Sequence, residues 1–273
     1  MARKLGILAG GGILPQRLVE AYRSAGRAVF VLAFEGQTAP ATTRGVDHAW
    51  VRLGAVGAAL DILRGAAVDD LVMAGPMRRP SIAELRPDKT AVKILARAGA
   101  RGFGDDGLLR AVMDWLEAEG FHMVGVDDVI DGITATSGPL GKVSPDETAR
   151  LDIARGIAVL QALGAVDVGQ AVVVQEGIVL GIEAAEGTDG LLTRCATLAR
   201  AGPGGVLVKL RKPGQDNRAD LPTIGPETII GARDAGLRGV AVEAGATLVL
   251  SREAAILEAD RSGLFLIGIS VGQ

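Results

Sequence analysis

Short apolar runs that alternate with amphipathic segments constrain the fold of the first 130 residues more than any other feature. Four apolar runs have the length and the glycine or polar flanks of buried strands: residues 4–9, 28–34, 69–75 and 122–126. Three segments between them space their apolar side chains three and four apart, as helices do: residues 14–25, 56–64 and 108–120. Strands that alternate with helices indicate a parallel sheet covered on both faces. Residues 1–130 are therefore predicted to form a small doubly wound α/β domain.

The second half of the chain mixes hairpins with helices. The segment QAVVVQEGIVLGIEA (170–184) predicts a hairpin that turns at Glu176-Gly177. Helix patterns follow the linker or lie between strands: residues 145–164, 188–199, 226–236 and from Ser251. Residues 131–144 are rich in Gly, Ser, Thr and Pro and predict a linker. We expect residues 145–273 to form a second, mixed α+β domain that carries the catalytic groups, with a ligand cleft between the two domains.

The composition excludes several classes of protein. Apolar residues make up 48% of the chain, enough for a core, whereas a net charge of −3 provides no basic surface for nucleic acid. The single Cys195 allows no internal disulfide and fits a reducing compartment. The two histidines, His48 and His122, argue against a His-rich zinc site, so any metal is expected to be a hard cation held by carboxylates. No apolar run has the length of a signal peptide or a membrane span, and we expect a soluble, cytoplasmic protein.

Two glycine-rich stretches are candidates for ligand binding in the first domain. Gly10, Gly11 and Gly12 precede the first helix and can present backbone N–H groups to a phosphate, although Pro15 occupies the sixth position of the dinucleotide fingerprint. Gly104 and Asp105 stand at the start of a later helix. The alternatives are a plain tight turn for the first stretch and a helix cap for the second.

Acidic residues crowd the exit of the predicted hairpin. Glu183, Glu186 and Asp189 lie where a strand gives way to a helix, and Thr188 adds a hydroxyl group beside them. A glycine turn at Gly187 would let the carboxylates converge as oxygen ligands for a metal. The alternative is structural, with Thr188 or Asp189 capping the helix and the glutamates in solvent.

The segment VLVKLRKPGQDNRADLPTIG (206–225) carries the strongest functional signal. Lys209 and Arg211 share one face of a strand by the two-residue period, so a cation is brought into an apolar element. Lys212, Asp216, Arg218 and Asp220 follow. Cations that bind phosphate oxygens, beside carboxylates that hold a metal or activate water, suit a phosphoryl or pyrophosphate substrate. A surface loop of salt bridges is the alternative.

Six motifs occur in an order that resembles the LpxI family: GGGILP, GDDGLLRAV with LEAEGF, DVGQAVVV, EAAEGTDGLLTR, VLVKLRKPGQDNRADLPTIG and GLFLIG. The resemblance covers nearly the whole chain. The members of this family are UDP-2,3-diacylglucosamine pyrophosphatases of lipid A biosynthesis in Gram-negative bacteria. The resemblance implies a Rossmann-like N-terminal domain and a distinct C-terminal domain with the substrate between them. It also implies Mg²⁺-dependent hydrolysis to 2,3-diacylglucosamine 1-phosphate (lipid X) and UMP. One departure is Ala219, where the family is expected to carry a larger apolar residue.

The resemblance assigns the catalytic aspartate to Asp220, and the surrounding charges are expected to share its work. The expected catalytic residues are Asp220, Asp216 and Lys209. The expected ligands of Mg²⁺ or Mn²⁺ are Asp220, Asp216, Glu183, Glu186 and Asp189. The expected substrate-binding residues are Gly10, Gly11, Gly12, Gly104, Asp105, Gln170, Thr188, Arg194, Arg211, Lys212 and Thr223.

Two other classes of function remain open from the residues alone. A nucleotide-dependent oxidoreductase would use the glycine turn, but the missing third glycine counts against it. A non-enzymatic lipid- or nucleotide-binding protein would bind tightly without metal-dependent release of phosphate. The expected partners are a lipid-linked nucleotide, a membrane surface touched transiently, and a second copy of the chain in a symmetric homodimer.

Overall fold

The chain forms two compact units in a computed structural model, which describes residues 3–78, 81–98, 105–218 and 221–271. The first unit ends at Asp131 and also takes in a short segment that begins at Asp216. The second unit holds residues 132–215 and resumes at Leu221. Each unit has hydrophobic clusters of its own. The predicted α/β class with two domains is confirmed.

The first unit is built on a parallel sheet with the strand order β3-β2-β1-β4-β5. Its strands are β1 (Leu5–Ala9), β2 (Val29–Phe34), β3 (Asp47–Val51), β4 (Asp70–Ala74) and β5 (His122–Met123). Its helices are α1 (Leu14–Ser24), α2 (Val56–Gly65), α3 (Ile82–Leu85), α4 (Lys89–Ala98), α5 (Asp105–Ala118) and α6 (Val126–Val129), with a 3₁₀ turn at Pro40–Thr43. The chain reverses its direction of travel across the sheet between β3 and β4, so the switch point lies between β1 and β4.

The burial of the central strands explains why the alternation of strands and helices could be predicted from the sequence. Every residue of β1 and β2 is buried, as expected for strands covered on both faces by helices. Strand β3 was not predicted, because it is an edge strand of the sheet and exposes most of its residues. The strand predicted at 122–126 is too long, because Gly125 is the N-cap residue of α6 and donates its N–H to Asp128 Oδ2 over 2.8 Å.

The second unit contains a six-stranded mixed sheet with the order β6-β13-β11-β9-β7-β8. Its strands are β6 (Gly138–Pro139), β7 (Ala171–Gln175), β8 (Ile178–Ile182), β9 (Val206–Lys209), β11 (Gly239–Glu243) and β13 (Phe265–Ile269), and β10 (Thr223–Ile224) pairs separately with β12 (Leu248–Val249). Its helices are α7 (Glu147–Gly164), α8 (Gly187–Ala196), α9 (Pro226–Asp234) and α10 (Arg252–Arg261). The predicted hairpin is present as β7 and β8, with positive φ at Glu176 and Gly177.

Part of the predicted linker is paired with the second unit. Gly138 and Pro139 form antiparallel pairs with β13. The Ala135 N–H donates to the Thr247 carbonyl over 2.8 Å, and the Val249 N–H donates to the Ile133 carbonyl over 2.8 Å. These backbone bonds need no apolar pattern, so the composition of the segment did not reveal them.

Helices cover both faces of the mixed sheet. One apolar cluster joins the sheet to α8, α9 and α10, and another joins it to α7. Gly156 allows α7 to lie close to the sheet, since a Cβ there would stand 2.6 Å from Val208 Cγ2. Among the residues that the structure describes, no helix is both long and apolar enough to cross a membrane.

A buried carboxylate fastens the β7–β8 turn to α7. Asp152 is 1% exposed and accepts N–H bonds from Gly177 at 2.7 Å and from Glu176 at 3.1 Å. The turn itself is exposed at Glu176 and Gly177, so the buried carboxylate supplies fixed acceptors for these two amides and holds the hairpin against α7.

We predict that Asp152→Asn lowers the free energy of unfolding by about 1–3 kcal/mol, because the amide replaces one acceptor oxygen with a donor that faces a backbone N–H. Urea unfolding followed by circular dichroism measures the change. Glu147→Gln, an exposed change on the same helix, is the control and should shift stability far less. Equal stability of the two variants would contradict the anchoring role of Asp152.

Candidate active site

Five residues from different elements of the second unit are linked by hydrogen bonds into one network that includes the ammonium group of Lys209. We call them the Lys209 cluster, and its members are Gln170, Glu183, Thr188, Lys209 and Thr223. Lys209 ends β9 and is 6% exposed, while Glu183 follows β8 directly and is 5% exposed. Sequence analysis singled out all five, and the structure brings them together.

Hydrogen bonds connect the two buried charges through a hydroxyl group. Lys209 Nζ donates to Thr188 Oγ1 over 2.8 Å and to the Thr223 carbonyl over 3.0 Å. The Thr188 hydroxyl in turn donates to Glu183 Oε1 over 2.7 Å. Glu183 Oε2 accepts the N–H of Gln170 over 3.0 Å. Each charge is therefore held by directed partners, which the burial of an ion requires.

Local backbone geometry places Glu183 and Thr188 on this network. Gly169 has φ +63° and a Cβ there would stand 2.0 Å from the Glu183 carbonyl oxygen, so only glycine permits the approach. Helix α8 begins at Gly187, with Glu186 as its N-cap residue and no side-chain cap bond. The structural alternative, in which Thr188 or Asp189 caps this helix, is wrong, and the Thr188 hydroxyl belongs to the Lys209 cluster instead.

Gln170 leaves one acceptor of the cluster unused. Its Oε1 atom is buried and has no hydrogen-bond partner in the described part of the chain. Buried acceptors are nearly always satisfied in native proteins, so an unused one beside a charged network is a natural position for a donor on a ligand or an ordered water.

The other predicted phosphate-binding cations have carboxylate partners. Arg194 bonds Glu186 over 2.6 Å and also donates to the Ile182 carbonyl. Its own backbone N–H and then the Arg194 guanidinium hold the pKa of Glu186 below its usual value. Two further ion pairs complete the set: Arg211 with Glu243 at 3.6 Å and Lys212 with Asp167 at 2.6 Å.

Arg211 does not share the environment of Lys209, contrary to the two-residue period. Strand β9 ends at Lys209, and the backbone N–H of Arg211 donates to Glu243 Oε2 over 2.9 Å. The alternation of faces applies only while the strand continues. Opposite charges in this loop thus serve local ion pairs as well as the cluster.

Asp216 belongs to the first unit and forms an ion pair with Arg218. The guanidinium donates to both carboxylate oxygens, over 3.0 and 2.8 Å, and these side-chain bonds hold the pKa of Asp216 below its usual value. Arg218 also bonds Glu117 on α5 over 2.6 Å, and its pKa is raised chiefly by the bonds to Asp216. Asp220 and Gly104 lie outside the described residues, as does the side chain of Asp105, the first residue of α5.

The glycine turn after β1 is held against the β4 loop. Gly10 donates its N–H to Ala74 over 2.7 Å and Gly11 donates to Pro76 over 2.8 Å. A Cβ at Gly10 would stand 2.4 Å from the Gly75 carbonyl oxygen. Close packing of two backbones therefore accounts for glycine at this position, and two of the N–H groups expected to face a phosphate have protein acceptors. Gly12, at φ +71°, leads into α1, whose N-terminus has no side-chain cap bond.

The described carboxylates do not form a preassembled metal site. Over residues 3–78, 81–98, 105–218 and 221–271, no three His, Cys, Asp or Glu side chains are grouped to hold a metal. Glu183, Glu186 and Asp216 accept bonds from protein donors, and Asp189 is exposed on α8. Carboxylate oxygens are the ligand type that Mg²⁺ prefers, but in the described structure protein donors engage those of Glu183, Glu186 and Asp216.

Sequence analysis missed a second charged group, which lines a cavity of about 530 Å³ within the first unit. Glu35 follows β2, Arg52 follows β3, Arg78 follows β4, and Arg86 follows α3. Glu35 could have been recognised from the sequence, because an acidic residue directly after the second strand of a parallel sheet often contacts a bound nucleotide. Arg52 and Arg86 carried no such signal, because β3 and α3 were not predicted.

Fold and cluster together define a two-unit α/β protein whose second unit encloses paired charges in a polar network, as enzyme sites do. Family profiles described as the LpxI N-terminal domain and the LpxI C-terminal domain match residues 4–133 and 136–267. A curated relative from Caulobacter vibrioides, named UDP-2,3-diacylglucosamine pyrophosphatase LpxI, is 43% identical over 276 residues that cover 98% of each chain. The chain belongs to the LpxI family.

Solved structures add nothing to this assignment. An N5-carboxyaminoimidazole synthase from Aspergillus clavatus is 15% identical over 68% of this chain and 42% of its own, with a TM-score of 0.26. A carboxyaminoimidazole ribonucleotide synthase from the same organism is 16% identical over 71% of this chain and 44% of its own, with a TM-score of 0.25. Both scores are too low to support a structural argument.

We predict that Lys209 and Glu183 are energetically coupled through Thr188. Lys209→Met and Glu183→Gln should each destabilise the protein by on the order of 2 kcal/mol, since each leaves a buried partner uncompensated. The double variant should lose less than the sum of the single changes, with a coupling of about 0.5–3 kcal/mol. Urea unfolding of the four proteins measures this cycle. Additive losses would contradict the network.

Proposed function

We propose that this chain is a UDP-2,3-diacylglucosamine pyrophosphatase of lipid A biosynthesis, which releases 2,3-diacylglucosamine 1-phosphate and UMP. The observation that carries the proposal is the 43% identity to the curated enzyme over 98% of both chains. The match to both domain profiles, over residues 4–133 and 136–267, supports the proposal because it includes both units of the chain.

The reaction divides a phosphoanhydride by water. The oxygen of water bonds to one phosphorus atom, the bridging oxygen leaves with its electron pair on the other phosphate, and the two protons of water are released or taken up by the products. Negative charge builds on the leaving phosphate, so a fixed cation in a dry setting lowers the barrier. Lys209 has these properties, since it is buried and aimed by Thr188 and Thr223.

Glu183 and Gln170 have supporting roles in this proposal. Glu183 accepts the hydrogen bond of the Thr188 hydroxyl group. This fixes the orientation of the hydroxyl, so that its oxygen lone pairs face the Lys209 ammonium group. Gln170 offers its unused buried Oε1 to an N–H or O–H of the substrate. A separate aspartate, Asp220, activates or positions the attacking water, as the family resemblance implies.

We also propose that hydrolysis requires Mg²⁺ or Mn²⁺. The cation would supply charge neutralisation on the diphosphate, with substrate oxygens and Asp220 as its ligands. The involvement of Asp216, Glu183, Glu186 and Asp189 as further ligands stays a prediction. Their protein donors would have to be exchanged for metal, except at the exposed Asp189.

Location and assembly follow from the substrate in this proposal. Two acyl chains anchor the substrate in a bilayer, so a cytoplasmic enzyme has to touch the membrane surface during each turnover. A symmetric homodimer stays a general expectation. No observation favours the oxidoreductase alternative, and two of the N–H groups in the glycine turn already have protein acceptors.

We predict that purified protein releases UMP from UDP-2,3-diacylglucosamine with Mg²⁺ and that EDTA stops the release. Asp220→Ala should lower kcat about 10²-fold or more, which is the usual cost of a lost metal-bridging or water-positioning group. Chromatography of UMP measures both effects. Tight substrate binding without hydrolysis would identify a binding protein instead, and a fully active Asp220→Ala variant would reject the assignment of that residue.

We predict that Thr188→Val lowers kcat about tenfold or more, because valine keeps the shape but removes the hydroxyl that aims Lys209. Thr193→Val is the matched control, since Thr193 lies on the same helix and bonds only the Asp189 carbonyl. Steady-state rates are compared below the unfolding temperature of both variants. If the two variants retain equal kcat, the Lys209 cluster does not act in turnover.

A further inference from the structure

The cavity in the first unit lies at the carboxyl ends of the parallel strands, on the β2 and β3 side of the switch point between β1 and β4. Its walls are the segments that follow β2, β3 and β4, together with the end of α3. In open α/β sheets the carboxyl ends of the strands form the ligand crevice. Its volume of about 530 Å³ falls within the usual range for small-molecule sites.

The charges on the cavity wall favour an anion that also carries hydroxyl groups. In the described part of the chain, the side chains of Arg52, Arg86 and Glu35 have neither ion-pair nor hydrogen-bond partners. Arg78 is 3.5 Å from Glu84, which is itself engaged with Ser81 at the start of α3. Two guanidinium groups are thus open to phosphate oxygens, and one carboxylate is open to donors.

Backbone contacts fix the walls that carry these groups. The Gln37 side chain donates to the Arg78 carbonyl over 3.1 Å and accepts the Arg78 N–H over 2.9 Å, which ties the β2 loop to the β4 loop. Gly54 lies against the Leu85 carbonyl oxygen, from which a Cβ would stand only 2.0 Å. This contact holds the β3 loop, with Arg52, beside the end of α3, with Arg86.

We propose that this cavity binds the ribose phosphate of the nucleotide half of the substrate. Arg52 and Arg86 bind the phosphate, and Glu35 accepts hydrogen bonds from the ribose hydroxyls. An acidic residue just after the second strand has this role in dinucleotide-binding folds, where it lies near the glycine turn of the first strand. The identity of the nucleotide as a uridine nucleotide rests on the function proposed above.

The test measures UMP binding to the full chain by calorimetry, separately from hydrolysis. Arg52→Gln and Arg86→Gln should each weaken UMP binding about tenfold or more and raise KM with little change in kcat. Arg44→Gln is the control, because Arg44 is an exposed arginine of the same unit outside the cavity and its side chain has no partner among the described residues. Uridine and inorganic phosphate, tested alone, should bind more weakly than UMP.

Deoxy-UMP tests the role of Glu35. Wild-type protein should bind UMP more tightly than deoxy-UMP, and Glu35→Gln should narrow that difference. Asp61→Asn, an exposed change on α2, should leave the difference intact. The variants remove no described contact, and unchanged unfolding temperatures would exclude a folding defect.

The outcomes separate this inference from the proposed function. If the protein hydrolyses the lipid-linked substrate, but Arg52→Gln and Arg86→Gln have the same UMP affinity and KM as Arg44→Gln, the cavity assignment is wrong. The proposed enzyme activity is then unaffected. UMP binding that is lost in those variants, in a protein without hydrolysis, would support the nucleotide cavity and reject the proposed reaction. Binding of inorganic phosphate as tight as that of UMP would overturn the ribose contact.

Discussion

The burial of the Lys209 ammonium is the interaction on which the second unit is organised. An ammonium at the end of an interior strand needs oxygen acceptors at fixed positions. Thr188 and Thr223 supply them, so the start of α8 and the start of β10 have to converge on the end of β9. Glu183 balances the charge through Thr188, which fixes the exit of the β8 strand as well. A single charged group therefore determines the meeting point of four elements.

In the first unit the equivalent constraint is parallel strand pairing. Because the strands are parallel, the connections that follow β1, β2, β3 and β4 all lie at the carboxyl ends of the strands. Loops that are distant in sequence therefore become neighbours at this end of the sheet. After β1 and β4 this end of the sheet is closed, since the backbones at Gly10 and Gly75 are in contact and the N–H groups of Gly10 and Gly11 are paired. At β2 and β3 it is open and lined by unpaired charges. The glycines thus serve packing, while the arginines farther along the edge are available to an anion.

Strands could be predicted from the sequence where all their residues are buried. They could not be predicted where a strand is held only by backbone hydrogen bonds or lies at the edge of a sheet. β1, β2 and β4 were predicted because strands covered on both faces become continuous apolar runs. β3 exposes most of DHAWV, and β6 pairs through Gly138 and Pro139, so neither has an apolar signature. The members of the Lys209 cluster were visible as residue types. Their mutual bonds were not, because partners 26 residues apart, Glu183 and Lys209, meet only through the order of β8, β7 and β9.

The ion pairs around the Lys209 cluster show why charges in this loop had to occur in both signs. Lys212 and Arg211 each have a nearby carboxylate, Asp167 and Glu243, so they add no net positive charge at their positions. The pairs are partly exposed and contribute little stability by themselves. They tie the segment that follows Lys209 to the residue that ends β11, Glu243, and to the residue Asp167 that precedes β7, without adding a competing cation. In the proposed reaction a dianionic diphosphate would meet a directed ammonium group rather than a diffuse basic surface, and directed charge is what distinguishes stabilisation of a transition state from simple attraction of the substrate.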